Sequence, residues 1–68
     1  MRNSLERQLG SFLRKRRGES TFAEFSRKLG LPPSTLYRLE HGEQSVTLRR
    51  LRQIMDRLRC RLTDIFPG

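Results

Sequence analysis

A chain of 68 residues is one domain at most, and a fold near this size buries only about 60% of the surface its unfolded chain exposes, so a deep catalytic cleft is not expected. Fifteen Lys and Arg against seven Asp and Glu give a formal net charge of +8, and thirteen of the fifteen are Arg. The planar donor fork of Arg suits phosphates and guanine edges, which points to a polyanionic partner, nucleic acid ahead of an anionic membrane surface; no apolar run approaches the roughly 20 residues of a membrane span.

The first predicted helix runs from about Ser4 to Arg17. Leu5, Leu9, Phe12 and Leu13 recur at helical spacing, and the basic run Arg14-Lys15-Arg16-Arg17 falls in the last turn, where it complements the helix dipole. Gly18 ends it. The second opens at Thr21, since Thr21-Phe22-Ala23-Glu24 has the spacing of a capping box. Phe22, Phe25 and Leu29 supply its apolar stripe, and Gly30 is its left-handed stop.

Leu31-Pro32-Pro33 forces a turn, and Pro33 suits the first position of a third helix, Pro33 to about Glu40, closed by His41-Gly42. Leu36 and Leu39 point one way. Ser34, Tyr37, Arg38 and His41 point the other, so a short helix presents a polar, aromatic and cationic front. After the polar loop Glu43-Gln44-Ser45-Val46, Thr47 caps a fourth helix reaching about Leu58. Leu48, Leu51, Ile54, Met55 and Leu58 form its core stripe, with Met55 as core filler. Arg49 and Arg50 sit in its first turn, where the dipole disfavours cations, a placement that suits an anionic partner. A last short helix, Leu62 to Phe66, carries Leu62, Ile65 and Phe66 and ends at Pro67-Gly68.

No strand alternation, internal repeat or low-complexity stretch interrupts this order. The lone Cys60 excludes an internal disulfide and fits a reducing cytoplasm, the expected location. No His, Cys or carboxylate cluster has metal-ligand spacing, and neither a glycine-rich phosphate loop nor a Gly-x-Ser-x-Gly elbow occurs. No catalytic residue, cofactor, metal or small-molecule ligand is therefore expected, and the solitary His41 reads as a surface residue.

Two helices joined by a glycine turn, the second with a polar outer face, form a helix-turn-helix unit, here about residues 21–41 with the turn Leu29-Gly30-Leu31-Pro32. From about Leu9 to Phe66 the chain resembles the lambda-repressor-like, Cro-type helix-turn-helix domains, also called the xenobiotic-response-element family. The stretches that carry the resemblance are Leu29-Gly30-Leu31, Ser34 through Gly42, and Leu58-Arg59-Cys60-Arg61-Leu62-Thr63-Asp64-Ile65-Phe66. The resemblance implies an all-α, compact five-helix bundle whose third helix enters the DNA major groove while the second crosses the backbone.

Carried over position by position, it sets Pro33, Ser34 and Arg38 facing bases with Tyr37 beside them. His41 stands where the family often has a phosphate-holding Asn, and Glu40 is expected to pair with Arg14 of the first helix. Several positions depart from the family's pattern. Phe22 stands where many members carry a Gln that bonds phosphate, a contact Thr21 or a backbone amide would have to replace. Pro32 replaces the usual Ser or Thr cap of the third helix, at a cost of about 1 kcal/mol. Gly18-Glu19-Ser20 is one residue longer than usual, Glu43 is acidic where a basic loop residue is common, and Arg59 replaces a usual Gly, forcing a left-handed residue there.

The expectation is a transcriptional regulator, by default a repressor, that binds double-stranded DNA as a homodimer on a palindromic operator. Arg38, Ser34, Tyr37 and Pro33 would read bases. Thr21, His41, Arg49, Arg50, Arg27 and Lys28 would hold phosphates, which set affinity rather than sequence. Leu62, Ile65 and Phe66 would supply the two-fold interface unless they finish the core, with Leu62 expected inward and Phe66 at the interface. The alternatives are an antitoxin-type module that grips a partner protein, which needs a binding segment beyond the bundle, and RNA binding, which a single helix suits poorly because the RNA major groove is narrow.

Overall fold

The computed structural model describes residues 4–67, and among them five helices form with no strand. Helix α1 spans Leu5–Arg17, α2 Phe22–Leu29, α3 Pro33–Glu40, α4 Leu48–Leu58 and α5 Leu62–Ile65. Each boundary has a local cause. The Ser4 hydroxyl accepts from the Arg7 amide at 3.1 Å and starts α1. Thr21 and Glu24 complete a reciprocal capping box at 3.0 and 3.1 Å, and Thr47 caps α4 through the Arg50 amide at 3.0 Å. Helix α3 begins on Pro32 with no side-chain cap and relies on Pro33 in its first turn.

Gly18, Gly30, Gly42 and Arg59 all take positive φ, and two of them stop a helix in the left-handed helical region. Gly30 (φ 75°, ψ 30°) ends α2, as expected of a residue without a Cβ. Arg59 (φ 54°, ψ 48°) ends α4 in the same region, as the family resemblance leads one to expect.

Leu9 and Leu13 of α1, Phe25 and Leu29 of α2, Leu31 of the turn, Leu36 and Leu39 of α3, Ile54 and Leu58 of α4 and Ile65 of α5 form one buried core. Phe12, Phe22, Met55 and Phe66 pack against it, Met55 as the expected filler. Helix α1 lies against α3 and α5, and α2 lies against α3 and α4. The α1–α3 crossing is close because of Gly10: a Cβ there would stand 2.5 Å from the Leu39 carbonyl oxygen and 2.8 Å from that of Glu40.

The core stripe expected on α4 is narrower than its spacing implies. Leu48 is 83% exposed, on the rim of a groove it shares with Leu5, Leu62 and Phe66. Leu5, the first residue of α1, is likewise exposed on that rim. On α5, Ile65 takes the inward position at 2% exposure, and Leu62, expected inward, is 50% exposed instead. A helix of four residues has a single inward direction, and Ile65 occupies it.

Candidate nucleic-acid interface

The turn at Gly30 sets α3 across α2, and side chains of α4 lock that arrangement. Gln53 Nε2 donates to the carbonyls of Leu29 and Gly30 at 2.8 and 3.2 Å, and Arg57 donates to the Lys28 carbonyl at 3.0 Å. These are the carbonyls that the end of α2 leaves without an intrahelical donor. Arg16 does the same for α4, donating to the Leu58 carbonyl at 3.1 Å. Arg16 and Arg57 thus brace the fold through backbone carbonyls while remaining exposed, a use of arginine that composition does not reveal.

With Leu36 and Leu39 buried beneath it, α3 turns Pro33, Ser34, Tyr37 and Arg38 to solvent, followed by His41 just past its end. All four candidate base readers therefore share one exposed face. Of the candidate phosphate holders, Thr21, Arg27, Lys28, His41 and Arg49 are exposed and Arg50 is half-buried. The Thr21 hydroxyl accepts from the Glu24 amide, which leaves its own proton for an outside acceptor. The amides of Phe22 and Ala23, in the first turn of α2, have no acceptor within the helix.

Glu40 is 2% exposed and is held by Arg17, not by Arg14. Arg17 Nε and Nη2 meet the two carboxylate oxygens at 2.7 and 3.2 Å, while Nη1 donates to the Ser20 carbonyl at 3.0 Å. Position along α1 decides between the two arginines. Arg17 is the last residue of α1, and from there it reaches both the Ser20 turn and the inner side of α3. Arg14, one turn earlier, lies instead with Arg7 and His41 along a shallow polar hollow between α1 and the end of α3.

A row of stacked side chains, which spacing alone does not disclose, runs along this face. The Arg17 guanidinium lies 4.2 Å from the centre of the Phe22 ring. Phe22 meets Tyr37 at 5.8 Å between ring centres and 53°, and Tyr37 meets His41 at 4.1 Å and 30°. His41 Nδ1 also lies 2.8 Å from the Tyr37 carbonyl oxygen. Tyr37 is 49% exposed yet has an aromatic neighbour on either side.

The candidate interface residues at the C-terminus divide. Ile65 is enclosed in the core and offers no surface. Leu62 and Phe66 line an apolar groove with Leu5, Leu9, Val46 and Leu48. Helical periodicity groups Leu5 and Leu48 with core residues and does not disclose their place on this surface. The groove's polar edge is Glu6, whose carboxyl accepts from the Ser45 hydroxyl at 2.9 Å. Its own backbone amide and Ser45 hold that carboxyl below the usual carboxylate range. Cys60 is half-buried nearby in sequence, and burial pushes its thiol up. Among the described residues no group of three or more His, Cys, Asp or Glu side chains is arranged to hold a metal ion, and no helix is long and apolar enough to cross a membrane.

An all-helical bundle in which α2 and α3 are joined by a left-handed glycine turn, with α3 presenting a polar face, is a helix-turn-helix domain. Residues 8–67 match the Cro/C1-type HTH DNA-binding domain, and the chain belongs to that family. Comparison with curated proteins and with solved structures gives no match. Membership supports a DNA-binding transcriptional regulator.

Proposed function

We propose that the protein binds double-stranded DNA with sequence preference, as a homodimer on a palindromic site, with α3 in the major groove. The observation that carries this reading is the shared exposed face of Pro33, Ser34, Tyr37 and Arg38 on a helix whose other side is buried. Arg38 is the principal reader, since an Arg can bond bidentately to guanine, worth about 1–3 kcal/mol of discrimination. Ser34 bonds a base edge, and Pro33 meets a thymine methyl. Thr21, Arg27, Lys28, His41, Arg49 and Arg50 hold phosphates and set affinity. A protein seated on a promoter blocks it sterically, which makes repression the natural consequence of binding.

One short helix reads few base pairs, and pairing two copies doubles the site. The groove of Leu5, Leu48, Leu62 and Phe66 supports the two-fold contact, because burying it against its symmetry mate removes exposed leucines from water. The pairing thus uses Leu62 and Phe66 but not Ile65.

Selection from random duplexes tests the reading, with Arg38→Ala and Arg49→Ala alongside the wild type. Arg38→Ala is expected to relax preference at one base position of each half-site. Arg49→Ala is expected to weaken all sequences alike and to lower the salt slope by about 1. Equal losses on specific and random DNA for Arg38→Ala would remove it as a reader. A sedimentation experiment that finds a monomer both free and on DNA would remove the dimer.

A further inference from the structure

We propose that Phe22 is a positioning residue that sets the sequence preference of Tyr37, so that part of the readout by α3 is determined from α2; this rests on the DNA-reading role of α3 proposed above. Tyr37 stands on the exposed face with Arg38 and Ser34, and a half-exposed side chain ordinarily samples several rotamers. Here it has little room to do so. Phe22 closes one side with ring centres 5.8 Å apart, and His41 closes the other at 4.1 Å. Both neighbours are themselves fixed. Phe22 packs on the core, carries the Arg17 guanidinium 4.2 Å from its ring centre, and begins a helix locked by a full capping box. Arg17 is in turn fastened to the buried Glu40, whose neighbour His41 lies against the Tyr37 carbonyl at 2.8 Å.

The row Arg17, Phe22, Tyr37, His41 therefore links the end of α1, the start of α2 and α3 through directional contacts. Offset and tilted aromatic pairs and a cation over a ring each favour a limited set of geometries. Their combined effect is to hold the Tyr37 ring in one direction before DNA arrives. A preorganised phenol meets one base edge with its hydroxyl or one thymine methyl with its ring, without an ordering cost on binding. The chain has an aromatic residue at the start of α2 and no side-chain amide there, and the geometry assigns that residue to orienting a reader on the next helix.

The test is selection from random duplexes with the full chain carrying Phe22→Leu, which keeps apolar volume against the core but removes the ring. Preference at the position dependent on Tyr37 is expected to weaken about fivefold, the scale of one hydrogen bond. Preference at the position dependent on Arg38 is expected to persist. Phe22→Tyr, which keeps the ring, is expected to retain the wild-type preference. In a Tyr37→Ala background, Phe22→Leu is expected to add nothing, since both changes remove the same contact. If Phe22→Leu does not fold in a thermal melt, Phe22→Met, which fills more of the same apolar volume without a ring, is expected to weaken the same base position, and a folded Phe22→Met that keeps the wild-type preference there overturns the proposal. A folded Phe22→Leu that selects the wild-type preference at every position, or that weakens all positions alike, overturns the proposal. A wild-type chain that selects no sequence overturns the reading of α3 itself.

Discussion

Two surfaces of this small bundle are exposed in opposite senses. On the α2–α3 face, polar and aromatic side chains are open to water but held: Phe22 and His41 flank Tyr37, and Arg17 spans from the Phe22 ring to Glu40. On the groove formed by α1, α5 and the start of α4, Leu5, Leu48 and Leu62 are exposed, with no other described residue packed over them. The first surface is already organised for a ligand that must be met with defined geometry. The second gains free energy from any apolar cover, because apolar area removed from water is worth roughly 25 cal/mol per Å² irrespective of direction. In the proposed reading, directional order serves recognition and exposed apolar area serves association.

The largest effect that can break this comparison lies in the ion pair beneath the ordered face. Arg17→Ala leaves Glu40 buried and unpaired, and is expected to destabilise the fold by about 3 kcal/mol, the low end for a buried pair because Arg17 keeps 20% of its side chain exposed. Against the 5–15 kcal/mol stability usual for folded proteins this is a large loss, readable in urea unfolding. Adding Glu40→Gln is expected to recover part of it, since the uncompensated charge is gone. Unchanged stability for Arg17→Ala would mean that the face is not anchored through Glu40. A smaller effect is expected on the groove. Leu48→Glu should leave stability within about 0.5 kcal/mol, as for other surface changes, while weakening self-association about tenfold or more in sedimentation. Equal association of the variant and the wild type would remove Leu48 from the two-fold contact.

The difference between the two surfaces also marks how much can be read from the sequence. Caps and stops are local, so the capping box at Thr21 and the glycine stop at Gly30 follow from short spacings, the left-handed Arg59 follows from the family resemblance, and all three appear as expected. The buried Leu36 and Leu39 beneath an exposed Ser34, Tyr37 and Arg38 follow from helical periodicity in the same way. Pairings across helices do not. Arg14 and Arg17 lie one turn apart near the end of α1, and only the way α1 crosses α3 decides which one reaches Glu40. The stack of Phe22 on Tyr37 depends on how α2 crosses α3, which no spacing encodes. Periodicity also assigns Leu48 and Leu62 to apolar faces without saying whether the same chain covers those faces.

The smallest expected effect sharpens the association side, because it concerns the turn that delivers α5 to the groove. Arg59 adopts φ 54° and ψ 48°, while its amide donates to the Asp56 carbonyl at 3.3 Å and the Cys60 amide reaches back to Met55 at 3.1 Å. This is the hydrogen-bonded helix stop that glycine makes most readily. A residue with a Cβ is disfavoured in that region by about 1–2 kcal/mol. Glycine regains this but surrenders about 0.5–1 kcal/mol through the freer unfolded chain. Arg59→Gly is therefore expected to stabilise the fold by about 0.5–1 kcal/mol in urea unfolding, with self-association unchanged because α5 keeps its position. Arg59→Ala separates backbone from charge: it keeps the Cβ, and is expected to leave stability where it was. If Ala stabilises as much as Gly, the cost at this turn comes from crowding the guanidinium among neighbouring cations rather than from the left-handed backbone.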